Sequence, residues 1–136
     1  MPLTNLDNVT DLSTISPEDI DSIGYVYANK FTEDSRNKVK TNQLRNFYSA
    51  IVAIRTKFRS EKTVTAQIER DLILLKPKLA YAAGRQPRVK PFYELMKQAI
   101  DTTVKIEETK KPLALQNLIS ITEAIVAYHK FLDPKN

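Results

Sequence analysis

The stretch TNQLRNFYSAIVAIRTKFRS, residues 41 to 60, decides the fold class, because its apolar side chains recur every three or four residues. That spacing places one apolar stripe along a helix, whereas a half-buried strand would alternate apolar and polar residues. The neighbouring face carries arginines and no acid. The stretch therefore predicts an amphipathic helix with a basic edge and a core face, the latter made of Leu44, Phe47, Ile51, Ile54 and Phe58.

The same helical spacing continues along the chain, and only two glycines occur. Ser16, Pro17 and Asp19 provide an N-cap, a first-turn proline and a capping-box acid for a helix that should run to about Phe31. The prediction is an all-α, compact bundle of about five helices in a single domain, residues 1–136, with an irregular N-terminal segment, residues 1–15. The other four helices are expected at about 41–59, 63–84, 91–106 and 112–131.

Two residues should shape the third helix. Pro77 lies inside it, and proline removes one backbone donor and disfavours helix at the preceding residue, so we expect a kink or a break there. Gly84 lies where the apolar pattern stops, and we expect it to end the helix with a positive φ.

The charge is unevenly distributed. The net charge is +5, but residues 1–34 carry seven acids against one base, and residues 35–93 carry fourteen bases against three acids. A polycationic middle third attracts polyanions, of which nucleic acid is the commonest in cells. An acidic protein partner, or the chain's own N-terminal segment, is the alternative.

Composition argues against catalysis and against bound cofactors. The chain has no cysteine, and its sole histidine, His129, has no serine or cysteine close in sequence, so we expect a surface or packing role for it. Two glycines cannot build a phosphate-binding loop. The acids Glu18, Asp19 and Asp21 are explained by the first turn of a helix rather than by a metal. We expect no catalytic residue, no metal and no cofactor.

The expected location is the cytoplasm. Residues 1–13 lack the basic start and apolar run of a secretory signal, and no stretch approaches the roughly 20 apolar residues of a membrane span. We therefore expect a soluble protein without a membrane partner.

Two segments resemble a known family. TNQLRNFY at residues 41–48 and LKPKLAYAAGR at residues 75–85 are similar to the signature segments of the small subunit of the type III-A CRISPR interference (Csm) complex. The resemblance is clear from about Lys38 to Arg85 and extends as helices to Phe131. Residues 1–34 match nothing in it.

The resemblance implies a non-catalytic subunit of a ribonucleoprotein that acts in antiviral defence. Its partners would be the crRNA and target RNA, contacted through their backbones without reading sequence. They would also include copies of itself and other Csm subunits, among them the large signature subunit and the backbone subunits. Arg45, Lys78 and Arg85 match basic positions of the signatures, and charge placement adds four further residues. The predicted RNA-binding set is Lys40, Arg45, Arg55, Lys76, Lys78, Arg85 and Arg88.

Other interpretations remain open at this point. The cations could form a solvated face or cap helix ends, Tyr48 and Tyr81 could be rim residues rather than stacking platforms, and Arg45 and Arg85 could brace helices. The chain could also be an assembly scaffold that contacts only protein neighbours. A small nuclease or a helix-turn-helix DNA binder ranks lower, since no catalytic set or base-reading helix is evident.

Overall fold

The computed structural model describes residues 1–33, 39 and 41–134. Within that part of the chain there are five α-helices, and the predicted all-α fold is confirmed. Single 3-10 turns lie before the first helix and in the last two links, at Leu12–Thr14, Pro87–Val89 and Glu108–Lys110. The helices are α1 (Pro17–Thr32), α2 (Thr41–Glu61), α3 (Ala66–Arg85), α4 (Lys90–Val104) and α5 (Lys111–Leu132).

The start of α1 is fixed by the predicted capping box. The Asp19 amide donates to Ser16 Oγ at 3.1 Å, and the Ser16 amide donates to Asp19 Oδ2 at 2.9 Å. The other oxygen of Asp19 accepts from the Leu3 amide at 2.9 Å. These two backbone donors, at Ser16 and Leu3, lower the pKa of the Asp19 carboxyl. One side chain thus caps the helix and anchors the N-terminal segment.

Helix α5 lies at the centre of the bundle and contacts α1, α2 and α4. Its residues Leu115, Leu118, Ile121 and Ile125 are fully buried. Helix α1 approaches it most closely, since a Cβ placed on Gly24 would lie only 2.5 Å from the Ala124 Cβ. Glycine is therefore needed at this crossing.

The N-terminal segment is irregular apart from its 3-10 turn, yet it belongs to the packed interior. Leu6 and Leu12 are at most 1% exposed. The Asn117 side-chain amide donates to the Leu12 carbonyl at 2.9 Å, and that of Gln98 donates to the Val9 carbonyl at 2.7 Å. The segment is held to α4 and α5 by apolar burial and by satisfied backbone carbonyls.

Helix α3 continues through Pro77 without interruption. Of the two predicted alternatives, a break is excluded and a kink is compatible with the observed helix. The expectation for Gly84 was wrong: it lies inside the helix, and neither glycine has a positive φ. Among the described residues the left-handed conformation occurs at Lys62 instead, just after α2. Helix α3 ends at Arg85, one residue beyond Gly84, and the next residue, Gln86, adopts extended backbone.

The sole histidine has a packing role. His129 is 1% exposed, and its Nε2 lies 2.7 Å from the Val39 carbonyl oxygen. Since a carbonyl only accepts, Nε2 carries the proton of this hydrogen bond. The Val39 amide donates to the Phe31 carbonyl at 3.0 Å, so Val39 joins the end of α1 to α5. In the described ranges, none of the helices has the length and apolarity to cross a membrane.

Candidate RNA-binding surface

Two lysines that flank Pro77 in sequence point to opposite sides of α3. At about 100° per residue, Lys76 and Lys78 lie about 200° apart around the helix. Lys76 Nζ lies 2.6 Å from Asp101 Oδ1 on α4, whereas Lys78 is exposed and forms no ion pair with any residue that the structure describes. Of these two adjacent predicted site residues, one is therefore engaged within the fold and one is available.

Asp101 is the buried partner in the pair with Lys76. It is 8% exposed, and its second oxygen lies 3.2 Å from Lys97 Nζ. Burial alone raises the pKa of the Asp101 carboxyl, but hydrogen bonds from Lys76 and Lys97 outweigh burial, so the pKa is lowered. The carboxylate stays ionised at neutral pH and clamps α3 to α4.

Arg55 is engaged in a similar way between α2 and α5. Its Nη1 lies 2.6 Å from Glu123 Oε2, and the Tyr48 hydroxyl lies 3.5 Å from the same oxygen. The Arg55 Nε is buried and has no hydrogen-bond partner in the described structure. Because the charge of Arg55 is already compensated, contact with RNA there would first require separating the ion pair.

Lys78 and Arg85 share one edge of α3. They are seven residues apart, which places them about 20° apart around the helix and about 10 Å apart along it. Both are exposed, and neither forms an ion pair within the described residues. Tyr81 lies between them with 69% exposure, and the Arg85 guanidinium carbon is 5.9 Å from the centre of its ring. This edge, which we call the α3 cationic edge, presents two uncompensated cations to solvent.

A groove of about 340 Å³ lies beside the α3 cationic edge, between the first half of α2, the second half of α3 and the start of α4. Lys78 and the polar residues Gln43 and Asn46 line it together with apolar side chains, among them Phe47, Leu75, Leu79 and Phe92.

Gln86 joins the helices at the end of this groove. Its Oε1 accepts from the Gln43 side-chain amide, and also from Arg88 Nε at 3.1 Å and Arg88 Nη2 at 2.9 Å. Arg88 is thereby held next to the start of α2 and near the α3 cationic edge. Sequence reasoning missed the positioning role of the two glutamines, and no periodicity or charge pattern marked them.

The remaining predicted residues lie elsewhere. Arg45 is exposed, but about 170° around α2 from the side that lines the groove, so the structure does not bring it together with Lys78. Lys40 lies outside the described residues. The seven predicted residues thus divide into three near the end of α3 (Lys78, Arg85, Arg88), two in ion pairs (Arg55, Lys76), one on another face (Arg45) and one not described (Lys40).

The acids of the N-terminal segment do not neutralise this surface. Asp11 pairs with Lys110 at 3.4 Å, Asp19 caps α1, and Asp21 accepts a hydrogen bond from the Tyr128 hydroxyl. No acid among residues 1–33 forms an ion pair with α2 or α3. Within the described residues, the acids of residues 1–33 therefore leave Lys78 and Arg85 unpaired.

In the described residues, no group of three or more histidine, aspartate or glutamate side chains is arranged to hold a metal ion. What the exposed surface offers is charge. Lysine and arginine on a rigid helix can bind phosphate oxygens, and guanidinium also offers a forked donor.

Fold and surface together define a small all-helical protein with a segregated cationic face. The family model described as Csm2 Type III-A matches residues 16–135, and the chain belongs to this family. The expectation that residues 1–34 match nothing in the family was therefore wrong for residues 16–34. It is 35% identical over 118 residues, 78% of this chain and 82% of the relative, to the CRISPR system Cms protein Csm2 of Enterococcus italicus. No solved structure matches the chain. The family assignment makes it a small subunit of the type III-A Csm complex.

Proposed function

We propose that the chain is a non-catalytic, RNA-binding subunit that holds the phosphates of the crRNA and the target RNA. The contacts would come from the α3 cationic edge, Lys78 and Arg85, together with Arg88. The observation that carries the proposal is that Lys78 and Arg85 are exposed on one helix edge without an ion pair in the described structure, whereas nearby Lys76 is neutralised.

The proposed binding does not read sequence. Each neutralised phosphate releases condensed counterions, which favours binding at low salt and weakens it as salt rises. Side chains on a rigid helix reach backbone oxygens, while base identity requires groups directed at base edges. A subunit of this kind suits any guide sequence.

In the complex the chain would bridge subunits as well as hold RNA. We propose contacts with the large signature subunit, with the backbone subunits and with further copies of itself. Membership of a Csm complex with other subunits follows from the family. Location in the cytoplasm, where the RNA partners are produced, is part of the same proposal. The competing function is a scaffold that contacts only protein neighbours.

The test compares two charge reversals by fluorescence anisotropy with labelled, unstructured single-stranded RNA. The double variant Lys78→Glu/Arg85→Glu should lose affinity by at least about tenfold, and the magnitude of its salt slope should fall by about 1.4, corresponding to two phosphate contacts. The control variant Lys105→Glu/Lys130→Glu changes the net charge by the same amount at two exposed lysines, one directly after α4 and one on α5. It should bind within about twofold of the wild type.

The outcomes separate the alternatives. Equal losses in both variants would show that only net charge matters, and the site assignment would be wrong. Unchanged binding after reversal at Lys78 and Arg85 would also remove the site. No binding of RNA by the wild-type chain at low salt would favour the scaffold.

A further inference from the structure

The outward face of α3 is apolar although it points to solvent. Ile73, Leu74 and Tyr81 are 43%, 42% and 69% exposed. Pro77, Ala80 and Gly84 complete the face and are also exposed. We call these six residues the α3 outer face.

This face is distinct from the one that builds the core. The inward residues Leu72, Leu75 and Leu79 are at most 8% exposed and account for the packing of the helix. The six outer residues fall within an arc of about 120° on the opposite side and extend about 16 Å along the axis. A solvated helix normally carries charged or polar residues there, so contiguous exposed apolar side chains indicate an interaction surface.

The shape of the α3 outer face suits a helix. Pro77, Ala80 and Gly84 recur at three- and four-residue spacing and have little or no side chain, so another helix can approach closely along this line. A Cβ placed on Gly84 would meet nothing within 4 Å, so the molecule itself leaves this space open. Tyr81 and Leu74 flank this line on one side and Ile73 lies at its N-terminal end, so a partner's side chains would fit along the line between these larger residues.

Charge indicates the chemistry of the occupant. Arg70 lies within the same arc, is exposed and forms no ion pair in the described residues. The nearby acids Glu69 and Asp71 are engaged by Lys111 and Lys57, so the arc carries no acid of its own. A partner helix with an acid opposite Arg70 would be complementary to this face.

We propose that the α3 outer face docks an amphipathic helix of a different protein subunit, with apolar residues at three- and four-residue spacing and an acidic side chain opposite Arg70. Two copies of this chain meeting through the same face would bring the cations Arg70, Lys78 and Arg85 of both together. Aliphatic Ile73 and Leu74 offer no ligand for phosphate, so RNA is the less suitable occupant.

One helix then serves two partners. RNA lies along the α3 cationic edge, and protein covers the outer face, whose centre is about 90° away around the helix. The docking proposal goes beyond the proposed RNA binding and does not depend on it.

The occupant is identified by crosslinking in the assembled complex. Benzoylphenylalanine replaces Ile73, which lies about 120–140° around the helix from Lys78 and Arg85, in the full chain. This chain is assembled with the other subunits of its Csm complex and a crRNA, irradiated and digested for mass spectrometry. The expected product joins position 73 to a helical peptide of a different subunit with an acid near the crosslink. A crosslink to RNA, a crosslink to a peptide of this chain, or no crosslink would each overturn the proposal.

A matched pair of variants measures the contribution of the face. Ile73→Ser/Leu74→Ser should weaken incorporation into the complex by at least about tenfold, because the burial of two aliphatic side chains at the contact is lost. Leu113→Ser removes a leucine that is 55% exposed on α5 and should have no effect. Both variants should melt within about 2 °C of the wild type and bind isolated RNA equally well. Normal incorporation of the double variant would refute docking at this face. RNA binding after charge reversal of Lys78 and Arg85 tests the proposed function alone, so the two proposals can fail separately.

Discussion

Replacing each of the two lysines beside Pro77 by methionine should give opposite results. Methionine keeps most of the length and helix propensity of lysine and removes the charge. Lys76→Met leaves Asp101, 8% exposed, with Lys97 at 3.2 Å as its remaining cation. Lys78→Met removes an exposed charge without an ion pair in the described structure. We expect the first variant to lose stability and the second to lose RNA affinity.

The magnitude follows from the degree of burial. Breaking a fully buried ion pair costs about 3–5 kcal/mol, and exposed pairs contribute about 0–1 kcal/mol. The Lys76 side chain is 26% exposed and that of Asp101 is 11% exposed, so the pair lies between these limits. Because Lys97 still compensates the carboxylate, we expect Lys76→Met to cost about 1–2 kcal/mol, which lowers the Tm by about 3–8 °C.

Two assays measure the difference. Thermal unfolding at pH 7 should show a lower melting temperature for Lys76→Met than for Lys78→Met. We expect the free energy of unfolding of Lys78→Met to remain within about 0.5 kcal/mol of the wild type. The RNA affinity measured by fluorescence anisotropy should fall about three- to tenfold for Lys78→Met and stay unchanged for Lys76→Met. If Lys76→Met leaves the melting temperature unchanged and weakens RNA binding as much as Lys78→Met does, Lys76 does not act within the fold as its ion pair with Asp101 indicates.

Three further predictions concern the glycines, the buried carboxylate and catalysis. Gly24→Ala should destabilise the chain by at least about 2 kcal/mol in urea unfolding, because its Cβ would lie 2.5 Å from that of Ala124, whereas Gly84→Ala, in open space within a helix, should stabilise it by about 0.5–1 kcal/mol. The reverse order would contradict the close α1–α5 crossing. Since the folded state lowers the pKa of Asp101, its contribution is present above the unfolded pKa of about 4 and is lost as pH falls through the lower, folded value. The stability deficit of Asp101→Asn should therefore shrink as urea unfolding is repeated from pH 6 down to pH 2.5, and a constant deficit would exclude this linkage. Incubation of purified chain with labelled RNA and Mg²⁺ or Mn²⁺ should leave the RNA intact on a denaturing gel, and metal-dependent degradation would mean that the chain is a nuclease.

Much of the fold could be predicted because local signals agree with one another. Ser16 and Asp19 gave the start of α1. Of the five residues predicted for the core face of α2, Leu44, Phe47, Ile51 and Ile54 are buried and Phe58 is partly buried. The prediction for Gly84 failed because a glycine near the end of an apolar pattern need not adopt a positive φ. The helix is followed by a residue with extended backbone instead. The packing of residues 1–15 was missed because single leucines such as Leu6 and Leu12 carry no periodicity.

The candidate site could be predicted only in part. Clustering of charge along the chain indicated α3, which carries the α3 cationic edge, but proximity in sequence grouped Lys76 with Lys78, which helical geometry places on opposite sides. The pairing of Arg55 with Glu123 depends on how α2 crosses α5, and these residues are 68 positions apart. Contacts of this kind are set by tertiary packing rather than by local pattern.

If RNA lies along the α3 cationic edge, it can be crosslinked there. Unstructured RNA labelled with 4-thiouridine is crosslinked to the full chain, and the modified residues are located by mass spectrometry. We expect them to fall between Lys78 and Arg88. Crosslinks located mainly on α1 or α5, or spread evenly over the exposed surface, would contradict this expectation.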